Sequence, residues 1–255
     1  MKAMVLAAGL GTRLRPLTDD RPKALVEIEG RTLLEITLAR LRLFGVSEVI
    51  VNAHHFADMM VEYLAAKQNL GMRIEVSHED VLLDTGGGLK KAAWFFLEDA
   101  LAHDEPFLLH NVDVLSTIDL GRMVQFHSDN HALATLAVQE RKSSRYLLFN
   151  EQGQLCGRRF ERENRTELAR PAESLQPLAF CGIHVISPRL LEMMTEDGSF
   201  SIIETYLRLA SRDEKLLAFR ADGYYWRDLG TIDSLAQAAK DLDSGGNADS
   251  LTERK

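Results

Sequence analysis

Cysteine is scarce in this chain, with only Cys156 and Cys181 among 255 residues. They form no Cys-x-x-Cys, which excludes a disulfide framework or a zinc ribbon and leaves two reduced thiols. Proline is nearly as sparse, at six residues, and there is no low-complexity tract or internal repeat. No apolar run approaches the ~18–20 residues that span a bilayer. The apolar stretch from Ala3 to Leu10 leads straight into Gly11-Thr12-Arg13 with no evident cleavage-site break, so neither a signal peptide nor a membrane partner is expected. Positive charge is in deficit, with 30 Lys and Arg against 38 Asp and Glu and a net charge of −8. Such a balance disfavours nucleic acid as a partner. What remains is 45 % hydrophobic and 27 % charged, an ordinary soluble composition. A cytoplasmic protein is expected, with its oligomeric state open.

Over roughly the first 140 residues, two hydrophobic periods alternate. Short apolar runs at Ala3–Ala8, Glu48–Ala53, Arg73–Ser77, Pro106–His110 and Ala132–Gln139 read as buried strands. Helical patterns at Leu33–Leu43, Phe56–Ala66 and Leu89–Leu97, and one capped by Asp119, fall between them. The alternation predicts an α/β fold with a Rossmann-like mixed, mostly parallel sheet and helices on both faces. Beyond Arg145 the reading is two short strands about an Asn150–Gly153 turn, then a charged exposed loop over Arg158–Arg170. A strand at Ala179–Ser187, a short helix after Pro188, a helix at Ile202–Ala210 and a strand at Lys215–Arg220 follow. Thr231–Leu242 closes the pattern as a helix. One domain over 1–242 is expected, its pattern changing near residue 140, with a flexible tail (243–255).

The stretch Leu6–Val26, LAAGLGTRLRPLTDDRPKALV, carries the most chemistry. A buried strand running into Gly9-Leu10-Gly11-Thr12-Arg13 can present consecutive N–H groups to an anion. Arg13 adds a fixed fork of donors and Lys23 a mobile point charge. A dinucleotide fingerprint would need glycine where Leu14 stands, and the Gly-Lys-Ser/Thr phosphate loop is absent.

Gly-x-Gly-Thr-Arg-x-x-Pro-Leu-Thr followed by Pro22-Lys23 resembles the signature of the sugar-1-phosphate nucleotidyltransferases. Further pieces agree in order: Leu83-Asp84-Thr85-Gly86-Gly87-Gly88, Asn111-Val112-Asp113, Phe180-Cys181-Gly182-Ile183 and Trp226-Arg227-Asp228-Leu229-Gly230-Thr231. The likeness spans about residues 1–240, is to short single-domain members, which transfer uridylyl or guanylyl groups, and implies a nucleotide-binding half (1–140) and a sugar-binding half (141–242). It implies that a sugar 1-phosphate attacks the α-phosphorus of a nucleoside triphosphate and pyrophosphate leaves. It implies nucleotide contacts from Leu6, Ala7, Ala8, Gly9, Gly11, Thr12, Arg13, Lys23, Thr85, Gly86 and Gly87, with Arg13 and Lys23 catalytic. Asn111, Glu161 and Gly182 would meet the sugar, and Asp113 and Asp228 would hold Mg2+. UTP stands ahead of GTP, because short uridylyltransferases carry a similar Thr-Gly-Gly-Gly.

Two departures stand out. Val112 replaces the family's glycine and resists positive φ, and RRFERE replaces the Glu-Lys-Pro near the sugar. They keep alive a non-catalytic nucleotide-binding homologue as the rival reading, and the strand–glycine start keeps alive a dinucleotide-dependent oxidoreductase. His54-His55 reads as loop, His110 and His184 as packed strand residues, and Trp94-Phe95-Phe96 as core.

Overall fold

The computed structural model describes residues 1–98 and 105–243; the expected flexible tail, apart from Asp243 at the end of the last helix, lies outside the described residues. In chain order the strands are β1 (Lys2–Leu6), β2 (Glu27–Ile28), β3 (Arg31–Thr32), β4 (Glu48–Ala53), β5 (Arg73–His78), β6 (Phe107–Asn111) and β7 (Val114–Ser116). They continue with β8 (Ala134–Gln139), β9 (Arg145–Phe149), β10 (Leu155–Phe160), β11 (Arg165–Leu168), β12 (Gln176–Ile186), β13 (Leu216–Arg220) and β14 (Trp226–Asp228). The helices are α1 (Leu33–Leu43), α2 (Ala57–Ala66), α3 (Asp84–Lys91), α4 (Ala93–Leu97), α5 (Leu120–Asp129), α6 (Arg189–Glu192), α7 (Ile202–Ala210) and α8 (Ile232–Asp243). The class is α/β with a mixed sheet, as the alternating periods require.

The chain divides into two compact units. The first comprises Met1–Asp84, Leu109–Ile118 and the described part of Tyr224–Lys255. Its frame is parallel: β1 pairs with β4 from Lys2↔Glu48 to Leu6↔Asn52, and β4 with β5 from Glu48↔Arg73 to Ala53↔His78. Ala3, Met4, Val5, Val49, Ile50 and Val51 are fully buried, the mark of strands covered on both faces. Thr32 caps α1 by accepting from the Glu35 N–H at 3.1 Å, and Leu33, Leu34, Leu38 and Leu41 turn into the core. A two-stranded ladder joins β7 to β14 with Trp226 opposite Ser116 and Asp228 opposite Val114.

The second unit, Thr85–Leu108 with Asp119–Gly223, is largely antiparallel. β12 pairs with β8 and β9, β10 lies between β9 and β11, and β13 joins β8 in parallel. Asp119 caps α5 as expected, accepting from the Arg122 N–H at 2.9 Å, and Ser201 caps α7. The charged stretch read as an exposed loop contains the end of β10 and all of β11. Its charges are cross-strand partners: Arg158 pairs with Glu167 at 2.6 Å, and Arg145, Arg158 and Arg165 surround the Phe160 ring. Phe95 and Phe96 are core, with Phe96 stacked on Phe107 at 3.9 Å, but Trp94, edge-on to Phe95 at 5.8 Å, is 50 % exposed at the margin of the cluster. Thr85–Gly88 does not precede a helix but forms the first turns of α3.

Candidate phosphate and carboxylate site

At the carboxyl end of β1 the chain leaves the sheet, and the Ala7 N–H donates to Asn52 Oδ1 at 2.7 Å. Gly11 adopts φ 64°. A Cβ there would lie 2.8 Å from Thr18 Cγ2 and 3.1 Å from Lys23 Cβ, so only glycine fits. The Gly11 carbonyl accepts from the Leu14 N–H and from Thr18 Oγ1, folding Thr12–Leu14 into a single 3-10 turn. Gly9 has nothing within 4 Å of its missing Cβ, which leaves its backbone open to a ligand. Arg13 is solvent-exposed beside it.

Lys23 sits in a second 3-10 turn, its stem buried and its Nζ donating to Asp113 Oδ2. The Leu229 N–H donates to the Asp113 carbonyl at 2.8 Å, so Asp113 and Asp228 occupy neighbouring registers of the β7–β14 ladder. Asp228 Oδ1 accepts from the Gly230 N–H at 3.0 Å. The empty Cβ position of Gly230 lies 2.6 Å from an Arg13 guanidinium nitrogen and 2.7 Å from Asp228 Oδ1. The first unit therefore brings Arg13, Lys23, Asp113 and Asp228 together. Val112 is 4 % exposed and lies in the turn between β6 and β7 without positive φ, its N–H donating to the Leu6 carbonyl, so the turn accepts a β-branched residue. His110 is fully buried, and burial lowers its pKa to about 4.

Sequence reading did not find the polar network beneath this loop. Asn52 Nδ2 donates to Glu79 Oε1 at 2.7 Å, the Leu83 N–H donates to Glu79 Oε2 at 3.0 Å, and His54 Nδ1–H donates to the Glu79 carbonyl. The one signal was an asparagine at the end of an otherwise apolar strand.

In the second unit, the Gly86 and Gly87 N–H groups both donate to the Phe200 carbonyl, at 2.9 and 3.3 Å. Thr85 Oγ1 accepts from the Ile202 N–H at the start of α7. A Cβ on Gly86 would come within 2.3 Å of the Phe200 ring. Gly182, with φ 74°, lies in the β12 irregularity between Phe180 and His184. Glu161 pairs with Arg159 at 2.9 Å, while Asn111 closes β6 in the first unit.

The nucleotidyl transferase family matches residues 2–245. N-acetylmuramate alpha-1-phosphate uridylyltransferase of Caulobacter vibrioides is 35 % identical over 89 % of this chain and 91 % of its own length. Mannose-1-phosphate guanyltransferase of Yarrowia lipolytica is 30 % identical over 90 % of this chain, which spans 61 % of that protein. The crystal structure of HddC from Yersinia pseudotuberculosis complexed with GMP-PN superposes with a TM-score of 0.73 at 20 % identity, covering 94 % of this chain and 99 % of that one; it shows the fold. With the glycine loop, its lysine and the paired aspartates in these places, the chain belongs to the nucleotidyl transferase family.

Proposed function

We propose that the protein transfers a nucleotidyl group from a nucleoside triphosphate, UTP before GTP, to a sugar 1-phosphate. The observation that carries this reading is the joining of Lys23 to Asp113, beside Asp228 and Arg13, under an open glycine loop. A phosphate oxygen of the sugar 1-phosphate forms a bond to the α-phosphorus, the α–β bridging bond breaks, and its electron pair leaves with pyrophosphate. Both reactants are anions, so the protein's work is positioning and charge neutralisation. The loop N–H groups and Arg13 hold the β- and γ-phosphates and then the departing pyrophosphate. Lys23, steered by Asp113, balances charge gathering at the α-phosphate.

Asp113 and Asp228 form a two-carboxylate donor set that suits magnesium, which takes one or two carboxylates with phosphate oxygens and water. Bound there, the ion would neutralise phosphate charge. The uridylyltransferase relative supports UTP. Among the described residues no helix is long and apolar enough to cross a membrane.

Pyrophosphate release over a panel of triphosphates and sugar 1-phosphates tests the reading. Turnover with UTP and one sugar phosphate is expected; no turnover with any pair would make the chain a binding homologue. Calorimetric titration with magnesium complexes tests the base, and GTP binding more than about tenfold tighter than UTP, or about 1.4 kcal/mol, would reverse the preference.

A further inference from the structure

Glu79 is the least exposed charged side chain among the described residues, at 1 %, and Asn52 beside it is 2 % exposed. Neither belongs to the phosphate and carboxylate cluster, yet their hydrogen bonds link the start of the glycine loop to Leu83 within the first unit. The order is Ala7 N–H to Asn52 Oδ1, Asn52 Nδ2 to Glu79 Oε1, and Leu83 N–H to Glu79 Oε2. Ala7 opens the glycine loop, and Leu83 stands two residues before Thr85. The Glu79 backbone is itself tied to the end of β4, with its N–H donating to the Ala53 carbonyl at 2.7 Å.

Donor and acceptor chemistry makes the order directional. An asparagine amide has one accepting oxygen and one donating nitrogen. With Oδ1 taken by Ala7, Nδ2 must face an acceptor. A carboxylate offers two accepting oxygens and no donor, so it alone satisfies both Asn52 and the Leu83 N–H. A buried donor left without a partner is costly. We propose that Asn52 and Glu79 are positioning residues: a buried relay that locks the start of the phosphate loop to the segment leading into Thr85, and so sets affinity for the nucleoside triphosphate. The proposal rests on the nucleotidyltransferase reading.

The relay can be reversed. Glu79→Gln sets a donor against a donor, and Asn52→Asp sets two carboxylates face to face. The double variant Asn52→Asp/Glu79→Gln rebuilds all three hydrogen bonds, with the middle one running the other way. Each single change is expected to raise KM for UTP by about tenfold or more, leaving KM for the sugar phosphate within about twofold. Each is also expected to speed hydrogen exchange at the Ala7 and Leu83 amides. The double variant is expected to restore both readouts to within about threefold of the parent. The proposal falls if the double variant is no better than the weaker single, or if folded single variants leave KM and exchange unchanged. Should Asn52→Asp not fold, Glu79→Gln against the double variant carries the same comparison. If the parent releases no pyrophosphate from any pair, the functional reading fails by itself, and amide exchange with UTP titration still decides the relay.

Discussion

The two units use polar residues differently. In the first, a parallel β1–β4–β5 frame aims its strand ends at a loop, and the charged groups there meet across long sequence separations: Lys23 with Asp113, Arg13 beside Gly230 and Asp228. In the second, charges on the β10–β11 hairpin pair within it: Arg158 meets Glu167 and Arg159 meets Glu161, while the Gly86 and Gly87 N–H groups close on the distant Phe200. The contrast teaches that a motif can be placed for two reasons. One glycine leaves room for a ligand, as Gly9 does; another leaves room for a neighbouring side chain, as Gly86 does for Phe200.

Breaking the first unit's cluster should have the largest effect. Asp113→Ala and Asp228→Ala are each expected to cut kcat by at least about a thousandfold, roughly 4 kcal/mol, with far-UV circular dichroism unchanged. Near-parental activity with magnesium in either variant would remove that residue from metal binding.

In the second unit the largest expected effects are on stability. Burial depresses the His127 pKa to about 4, while the unfolded chain keeps a value near 6.5. The unfolded state therefore binds the proton first as pH falls. Stability from this group is whole above pH 6.5 and is lost as pH drops through 4, by about 2–3 kcal/mol between pH 7 and 4.5. Urea unfolding at the two pH values measures it, and His127→Gln should flatten that slope.

The glycines sharpen the comparison directly. Gly86→Ala drives a methyl into the Phe200 ring and should cost about 2–3 kcal/mol in thermal or urea unfolding. Gly9→Ala meets open space and should leave stability within about 0.5 kcal/mol. Any rise in its KM for the triphosphate then reports ligand approach alone. A Gly9→Ala loss of stability as large as that of Gly86→Ala would erase the distinction.

Lys23→Ala is expected to lower kcat by about 2 kcal/mol, some thirtyfold, if the ammonium stabilises the transition state; an effect on KM alone would make it a ground-state binder. The smallest effect belongs to Glu161→Gln. Its exposed pairing with Arg159 is worth under about 1 kcal/mol. A severalfold rise in KM for the sugar 1-phosphate with unchanged Tm would assign it to the sugar, and no change would leave it a surface partner of Arg159.

Much of the frame was legible because local physics agreed with the final packing. The apolar runs of β1, β4 and β5, the Leu pattern of α1, and the Asp119 cap all state their structure within a few residues. The Gly-Thr-Arg loop and the two aspartate motifs were legible as a resemblance, and the structure shows how one short ladder makes neighbours of the aspartates. β11 was hidden because alternating Arg and Glu reads as solvated loop until the partner strand supplies the opposite charge and the Phe160 ring. The helical start of α3 was hidden because three glycines oppose helix formation, and the Phe200 contacts that secure it come from more than a hundred residues away. The Asn52–Glu79 relay is non-local in the same way, and neither residue belongs to a recognisable pattern.

The β7–β14 ladder also carries a consequence for biosynthesis. Its two strands are separated by more than a hundred residues of chain. A ribosome adding about 5–20 residues per second needs roughly 5–25 s to travel from one to the other. During that interval the nascent chain holds the glycine loop, Lys23 and Asp113, while Asp228 and the glycine that seats Arg13 do not yet exist. On the proposed reading, the second carboxylate is thus supplied by the last part of the unit to be translated, and a chain halted before it lacks that group.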